Sequence, residues 1–405
     1  MSGSLSSGMK QVLVAVLYGA AAGMIAAAVL GAMTFLSGLL WMGEEGAWRI
    51  FLTVMTGGAL IAGLRLLDGG DQDDLAAQLR QSGDASAFHW QRSALLAAMA
   101  IIAVAFGGAI GPEAGTLAVV AELSAIVSLA IAKSSADRQF IGEVGAVAAL
   151  GGLYGSPPGG TLLAEPKAEG SQADPKGHQL MLFLAAVAGL AGFLLAAKLL
   201  LPGGGMRVHL APVATQDNPW QIIAALIPAL LGGLGGLAFV VLLPWFQALL
   251  ARFGNVGLQT LVGTAGFAAL AATFPILLFS GHHEIEEMLH WAGNAGMAEL
   301  LGLAGLKVLC LTLCLASGWR GGAAFPLIFI GAAAGYSALA LIPALDPTVA
   351  SLAGITAAAT VGMGKPLAAI FIVALLVVPF GAGAICVGAL VGMMFARLYP
   401  VGAVH

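Results

Sequence analysis

Apolar stretches long enough to cross a lipid bilayer recur from one end of this sequence to the other. A transmembrane helix needs about 20 predominantly apolar residues. Runs approaching or exceeding that length occupy Val12–Trp41, Leu95–Ile110, Leu180–Leu201, Ile222–Leu243, Leu258–Phe279, Leu300–Leu315, Leu327–Ile342 and Leu367–Leu398. Only 9% of the residues are charged and 60% are hydrophobic, whereas soluble domains carry about a quarter charged residues. A soluble chain of this size could not cover its surface with so few charges. Inside lipid every backbone polar group must find its partner within the protein, so the spans are helices. The sequence therefore predicts an all-α, polytopic membrane protein.

Several function classes drop out at once. A net charge of −4 gives no basic surface for a nucleic acid. Cys310, Cys314 and Cys386 all fall in apolar stretches, an odd and buried set that argues against a disulfide framework and against a metal site. In "SGHHEIEEMLH" a helix would align His283, Glu287 and His290, but such clusters are more often a polar interfacial helix than a metal site. No cofactor motif and no catalytic constellation emerges, so no enzymatic role is expected. The start "MSGSLSSGMKQ" reads as a short tail into the first helix, and "YPVGAVH" after the last run leaves no soluble C-terminal domain. Trp41, Trp48, Trp220, Trp291 and Trp319 sit near segment ends as interfacial anchors do. Lys198, Lys307 and Lys365 read as snorkelling side chains, although Lys307 lies inside its apolar run and is also a candidate pathway residue.

An internal repeat is visible. "GAVAALGGLYGSPPGG" from Gly145 and "GITAAATVGMGKPLAA" from Gly354 align without gaps, matching Gly145, Ala148, Ala149, Gly155 and Pro157 to Gly354, Ala357, Ala358, Gly364 and Pro366. Upstream of each lies a second pair of signals, "GGAIGPEAG" from Gly107 and "GGAAFPLIFIG" from Gly321, each a Gly-Gly-Ala followed shortly by Pro. Helices interrupted at such Gly/Pro positions leave unpaired N–H groups at their new N-termini. Each N-terminus also carries about half a positive charge. Broken ends near the bilayer midplane make an anion site without Lys or Arg. The expected ligands are backbone N–H groups at Gly111–Gly115 and Ala323–Pro326, and Arg320 is expected to raise the potential at the mouth of the pathway.

These motifs, in this order, resemble the chloride channel (CLC) family of anion channels and proton-coupled anion exchangers. "GPEAGT" (Gly111–Thr116) is similar to the family's G-R-E-G-P-T, with Glu113 on the glutamate. "SGWRGGAAFP" (Ser317–Pro326) is similar to S-G-x-P-G-G-x-F-x-P, and "GAVAALGGLYGSPPGG" to G-A-A-A-G-L-A-A-A-F-N-A-P-L-A-G. The resemblance implies an inverted-repeat fold with broken, partly re-entrant helices and a homodimer with one pathway per subunit. It implies Glu113 as the gate, a carboxylate that fills the anion site and leaves when protonated. The anion would be bound around Gly111, Pro112, Ala114, Gly115, Ala323, Ala324 and Phe325. The other reading of Glu113 is a helix cap at the start of the segment opened by Pro112.

The sequence also departs from the family pattern. The family's G-S-G-I-P should fall near Gly69–Gly70–Asp71, where no Ser stands, and the acidic run there reads as a solvated loop. Tyr399 lies out of register with the family's Tyr near the C-terminus. The inner glutamate of the exchangers corresponds to Lys167, flanked by Glu165 and Glu169, so Glu165 and Lys167 are the candidates for a proton path. An uncoupled conductor and a proton-coupled exchanger share the same anion site; Lys167 tips the reading toward the conductor.

The expected organisation is a first repeat half at 1–202, a linker at 203–219 and a second half at 220–405. The expected function is transport of a small inorganic anion, chloride first, with protons a second species if the chain exchanges. The expected location is a multi-pass position in the cell inner membrane. The alternative is a secondary transporter of another small ion or solute on a broken-helix scaffold, but Glu113 is nearly alone at depth and Glu122 lies at a different angle on the helix, so a cation cage is hard to build.

Overall fold

The structure is a computed structural model describing residues 7–43, 46–68, 90–164, 175–201, 207–210 and 218–399. The chain enters through α1 (Ser7–Leu13), a π turn (Val14–Tyr18) and α2 (Gly19–Leu40), followed by α3 (Ala47–Asp68), α4 (Trp90–Ala105) and α5 (Glu113–Ile131). Next come α6 (Ser135–Leu153), α7 (Pro157–Ala164), α8 (Pro175–Leu200) and the two-residue strand β1 (Val208–His209). Then follow α9 (Pro219–Ala224), α10 (Leu226–Ala251), α11 (Val256–Thr273), α12 (Glu284–Ala292), α13 (Met297–Ala316) and α14 (Ala324–Tyr336). Helices α15 (Pro347–Met363) and α16 (Pro366–Leu376), the strand β2 (Val377–Val378) and α17 (Ala382–Leu398) complete the order.

Among the described residues seven helical stretches are long and apolar enough to cross a membrane, including Gly8–Leu40, Lys176–Leu200 and Pro219–Ala251. The protein is a multi-pass membrane protein. Large apolar side chains such as Leu129, Leu195 and Leu199 stand exposed on these spans, as a lipid-facing surface requires. Not every apolar run is a single helix. Leu367–Leu398 is cut at Val377–Val378 into α16 and α17, and Leu327–Ile342 holds only the rest of α14 and a 3₁₀ turn at Ser337–Ala340.

Two compact units are present: Met1–Thr34 with Asp73–Ala98 and Glu113–Met206, and Phe35–Gln72 with Met99–Pro112 and Arg207–His405. At the heart of the first unit lies α6. Ser134 and Asp137 cap it reciprocally, a capping box that fixes its start. From Phe140 to Leu153 every residue is buried, because α5, α7, α8 and the π turn all pack on it. Small residues allow that crowding. A methyl group added at Gly189 of α8 would stand 2.3 Å from the Ala148 carbonyl oxygen, so the two backbones nearly touch. The hydroxyls of Tyr18 and Ser124, 2.5 Å apart, pair above Gly145, and His178 of α8 meets Glu143 of α6 at 2.8 Å.

The heart of the second unit is α15, buried from Thr348 to Val361 and packed by α10, α14 and α17. Asp346 opens it, its Oδ1 accepting from the Thr348 and Val349 amides at 2.7 and 3.3 Å. A methyl group at Gly354 would meet the Gly331 carbonyl oxygen of α14 at 2.3 Å. In the same unit β1 pairs with β2 in parallel, Val208 with Val377 and His209 with Val378. The sequence read that first stretch only as linker.

The repeated motifs have the same local structure. Each central helix, α6 and α15, is followed by a left-handed glycine, Gly155 at φ +61° and Gly364 at φ +63°. Each short helix that follows starts on a proline, Pro157 and Pro366. A Cβ at Gly155 would meet no atom within 4 Å, so it is the backbone angle rather than space that requires glycine there.

Candidate functional site

The upstream repeat pairs differently from the match of Gly107 with Gly321. At the end of α4 the Gly107 and Gly108 amides bond back to the Val104 and Ala103 carbonyls, at 3.1 and 2.9 Å. At the end of α13 the same two bonds run from Gly318 and Trp319 to Leu315 and Cys314, at 3.2 and 3.0 Å. Gly107 and Gly318 are both left-handed, with φ of +84° and +89°. Gly107 therefore corresponds to Gly318, three residues before Gly321. In this register Gly111 matches Gly322, and Glu113, the first residue of α5, matches Ala324, the first residue of α14.

Gly111 and Gly322 are also partners. Each amide donates to the other's carbonyl, at 2.7 and 3.0 Å, forming an isolated antiparallel bridge. The Gly111 amide is thus spent on protein, and Pro112 has none to offer. Of the residues expected around the anion, Gly111 ties the loop to Gly322, and the downstream amides are the candidate donors. At the second break Ala323 is the N-cap of α14 and makes no side-chain cap bond. Ala324, Phe325 and Pro326 are buried in its first turn. By contrast Asn218, Asn255 and Asp346 cap α9, α11 and α15 with their side chains.

Buried polar groups hold the second break in place. Arg65 Nη1 donates to Thr260 Oγ1 at 2.8 Å and to the Ser317 carbonyl at 2.9 Å, at the C-terminal end of α13. A Cβ on Gly318 would stand 2.4 Å from that nitrogen, so this glycine is needed for space as well as angle. Trp319 donates to Thr264 at 2.9 Å and meets Phe267 edge to face. Arg320 is buried. Lys307 is fully buried, and its Nζ donates to the carbonyls of Leu277, Leu278 and Phe279 at 3.0, 3.0 and 2.9 Å. It does not snorkel; it holds the chain between α11 and α12. The Phe279 amide in turn donates to the Gly107 carbonyl at 2.9 Å.

In the first unit Glu113 is fully buried, with Ala114, Gly115 and Thr116 buried beside it. Its Oε1 accepts a hydrogen bond of 3.0 Å from the hydroxyl of Tyr154, itself fully buried at the C-cap of α6. Sequence reasoning missed Tyr154. Its sole signal is a phenol between two glycine pairs at a helix break, in a chain with four tyrosines. Glu165, Lys167 and Asp71 lie outside the described residues. Cys310 and Cys314 are buried and Cys386 is exposed, a correction to the expectation for the third. Tyr399 sits half-exposed at the end of α17. Among the described residues no group of three His, Cys, Asp or Glu side chains is placed to hold a metal ion.

Comparison with known proteins decides the family. The family model described as voltage gated chloride channel matches residues 69–400. The chain belongs to this family. A relative from Escherichia coli (strain SMS-3-5 / SECEC), which carries the name ion-transport protein YfeO, is 25% identical over 352 residues, covering 83% of this chain and 81% of the relative. The fold matches that of a slow cyanobacterial Cl−/H+ antiporter with a TM-score of 0.80 at 17% identity, over 99% of this chain and 97% of that one. A CLC-type fluoride/proton antiporter matches with a TM-score of 0.74 at 18% identity, over 97% of each chain. The fold is therefore the all-helical CLC fold with broken helices.

Proposed function

We propose that this family member carries a small inorganic anion, chloride first, across the cell inner membrane, and that Glu113 is its gate. Ionised, the carboxylate occupies the anion's place at the start of α5; protonated, it leaves and an anion enters. The observation that carries the reading is a fully buried carboxylic acid on the first residue of a helix. A charge at such depth is expensive unless it meets partial positive charge, and a helix N-terminus supplies it. The amides at Ala114 and Gly115, and those at Ala323, Ala324 and Phe325, are the proposed anion ligands. For Gly111 and Pro112 the role is to hold the loop.

The division into halves at 1–202 and 220–405, with 203–219 between them, belongs to this proposal, as does a homodimer with one pathway per subunit. The antiporter names are those of the neighbours in structure. For this chain we propose uncoupled conduction, with Glu165 and Lys167 as the residues to question if protons move with the anion. The test is flux from proteoliposomes loaded with chloride, nitrate or fluoride, beside a cation control. Selective anion flux is the expected result. Cation flux without anion flux would replace this reading by transport of another ion.

A further inference from the structure

We infer that Tyr154 sets the threshold of the gate, its hydroxyl serving the Glu113 carboxylate while that carboxylate fills the site and the anion once it has left. The inference rests on the gating role proposed for Glu113.

The placement of Tyr154 is unusually constrained. Its amide bonds to the Gly152 and Leu150 carbonyls as the C-cap of α6. The next two amides turn back as well, Gly155 to Gly152 and Ser156 to Gly151, at 3.1 and 3.0 Å. Ser156 then accepts from the Gly159 amide at 3.2 Å and starts α7. The phenol thus stands on a tied turn between two helices, and a Tyr side chain has only two flexible torsions. A buried tyrosine hydroxyl needs a partner. Tyr18, the other buried tyrosine of this unit, finds the neutral hydroxyl of Ser124. Tyr154 finds a carboxylate, the strongest acceptor a side chain offers.

That choice has a consequence for titration. A hydroxyl donated to a carboxylate favours its ionised form, so it favours the carboxylate staying in place. Among the described residues of this unit, the other titratable groups are held elsewhere or lie along their helices away from Glu113. Tyr18 on the π turn is bonded to Ser124, and Glu143 on α6 is held by His178 of α8 and by Gln139. Glu143 stands eleven residues from Tyr154 on α6, roughly 16 Å. Glu122 lies nine residues beyond Glu113, roughly 13 Å along α5. Asp137 and Arg138 are further still at the other end of α6, and Lys176 and Lys198 sit near the two ends of α8. Tyr154 is thus a side chain of this unit bonded directly to Glu113 and placed to tune it. When the protonated carboxyl leaves, the same hydroxyl is left as a donor at the place it vacated, and a small anion is the acceptor that fits.

The experiment uses the full chain in proteoliposomes, with chloride flux followed across a pH series. Tyr154→Phe removes the donor and keeps the ring. Without the donor the carboxylate protonates more readily, so half-maximal flux should move to higher pH by about one unit. Replacing Tyr154 with an ortho-fluorinated tyrosine, a stronger donor of nearly the same shape, should move it to lower pH. Chloride binding is then measured calorimetrically on Glu113→Gln and on Glu113→Gln with Tyr154→Phe. The double variant should bind about tenfold more weakly. An unmoved midpoint in both Tyr154 variants, or equal chloride affinity in the single and double variants, overturns the inference. If Glu113→Gln alone keeps the parent's pH dependence, the gate itself is wrong and this inference falls with it.

Discussion

The hydroxyl of Tyr154 lies 3.0 Å from Oε1 of Glu113, and this bond joins the first residue of α5 to the turn between α6 and α7. A catalogue of intramembrane charges would record Glu113 without its partner. The bond makes it one half of a pair whose other half is neutral and rigidly mounted. How the acid responds to pH then becomes a property of two helices.

Replacing Glu113 with Gln should leave the protein folded and remove the pH dependence of anion flux. The amide keeps the shape but does not titrate in this range. Flux measured from acid to alkaline pH should be flat and close to the acid value of the parent. A variant whose flux still climbs with acid would identify Glu113 as a helix cap.

Coupling is read from the reversal potential at fixed chloride under a proton gradient. For an uncoupled conductor the potential stays at the anion equilibrium value. A steady displacement with pH would sink that expectation, and Glu165→Gln and Lys167→Met would then show which residue moves the proton.

Lys307 should be structurally indispensable. Its three bonds go to carbonyls of consecutive residues, and Lys307→Met leaves those buried acceptors unmet. The expected loss is about 3 kcal/mol or more, read as a clear fall in the thermal midpoint in detergent. A Met variant that melts with the parent would show that the carbonyls find other donors.

Glycines on the helices of the second unit should divide sharply by surroundings. At Gly354 an added methyl meets the Gly331 carbonyl at 2.3 Å, whereas at Gly305 it meets nothing within 4 Å. Gly354→Ala should destabilise by about 1–3 kcal/mol through overpacking. Gly305→Ala in α13 should be neutral or gain about 0.5–1 kcal/mol from reduced chain entropy. Thermal melts of the two variants, side by side, test the packing of α15 directly.

Much of this architecture is legible in the sequence because lipid leaves few alternatives. Apolar runs, Gly/Pro breaks and the duplicated Gly155/Gly364 and Pro157/Pro366 signals each map onto one physical device. The register of the upstream repeat is misleading by eye because Gly-Gly-Ala is cheap in a Gly- and Ala-rich chain. The informative glycines are Gly107 and Gly318, marked by a left-handed turn that no short motif spells out. Tyr154 escapes notice because a phenol in an apolar stretch carries no periodicity or charge; its role depends on a residue 41 positions away. Lys307 reads differently from its own helix alone, since its partners lie on the chain before α12. A buried ammonium's purpose is written in the carbonyls it meets.

The equivalence of Glu113 and Ala324 bears on symmetry and direction. Duplication gave this scaffold two matching sockets, and the chain has filled one with an acid and the other with a methyl group. The sense of the proposed gate would then rest on a single side chain. With one titrating carboxylate at the proposed gate, activation by acid should follow a single-site curve with no cooperativity.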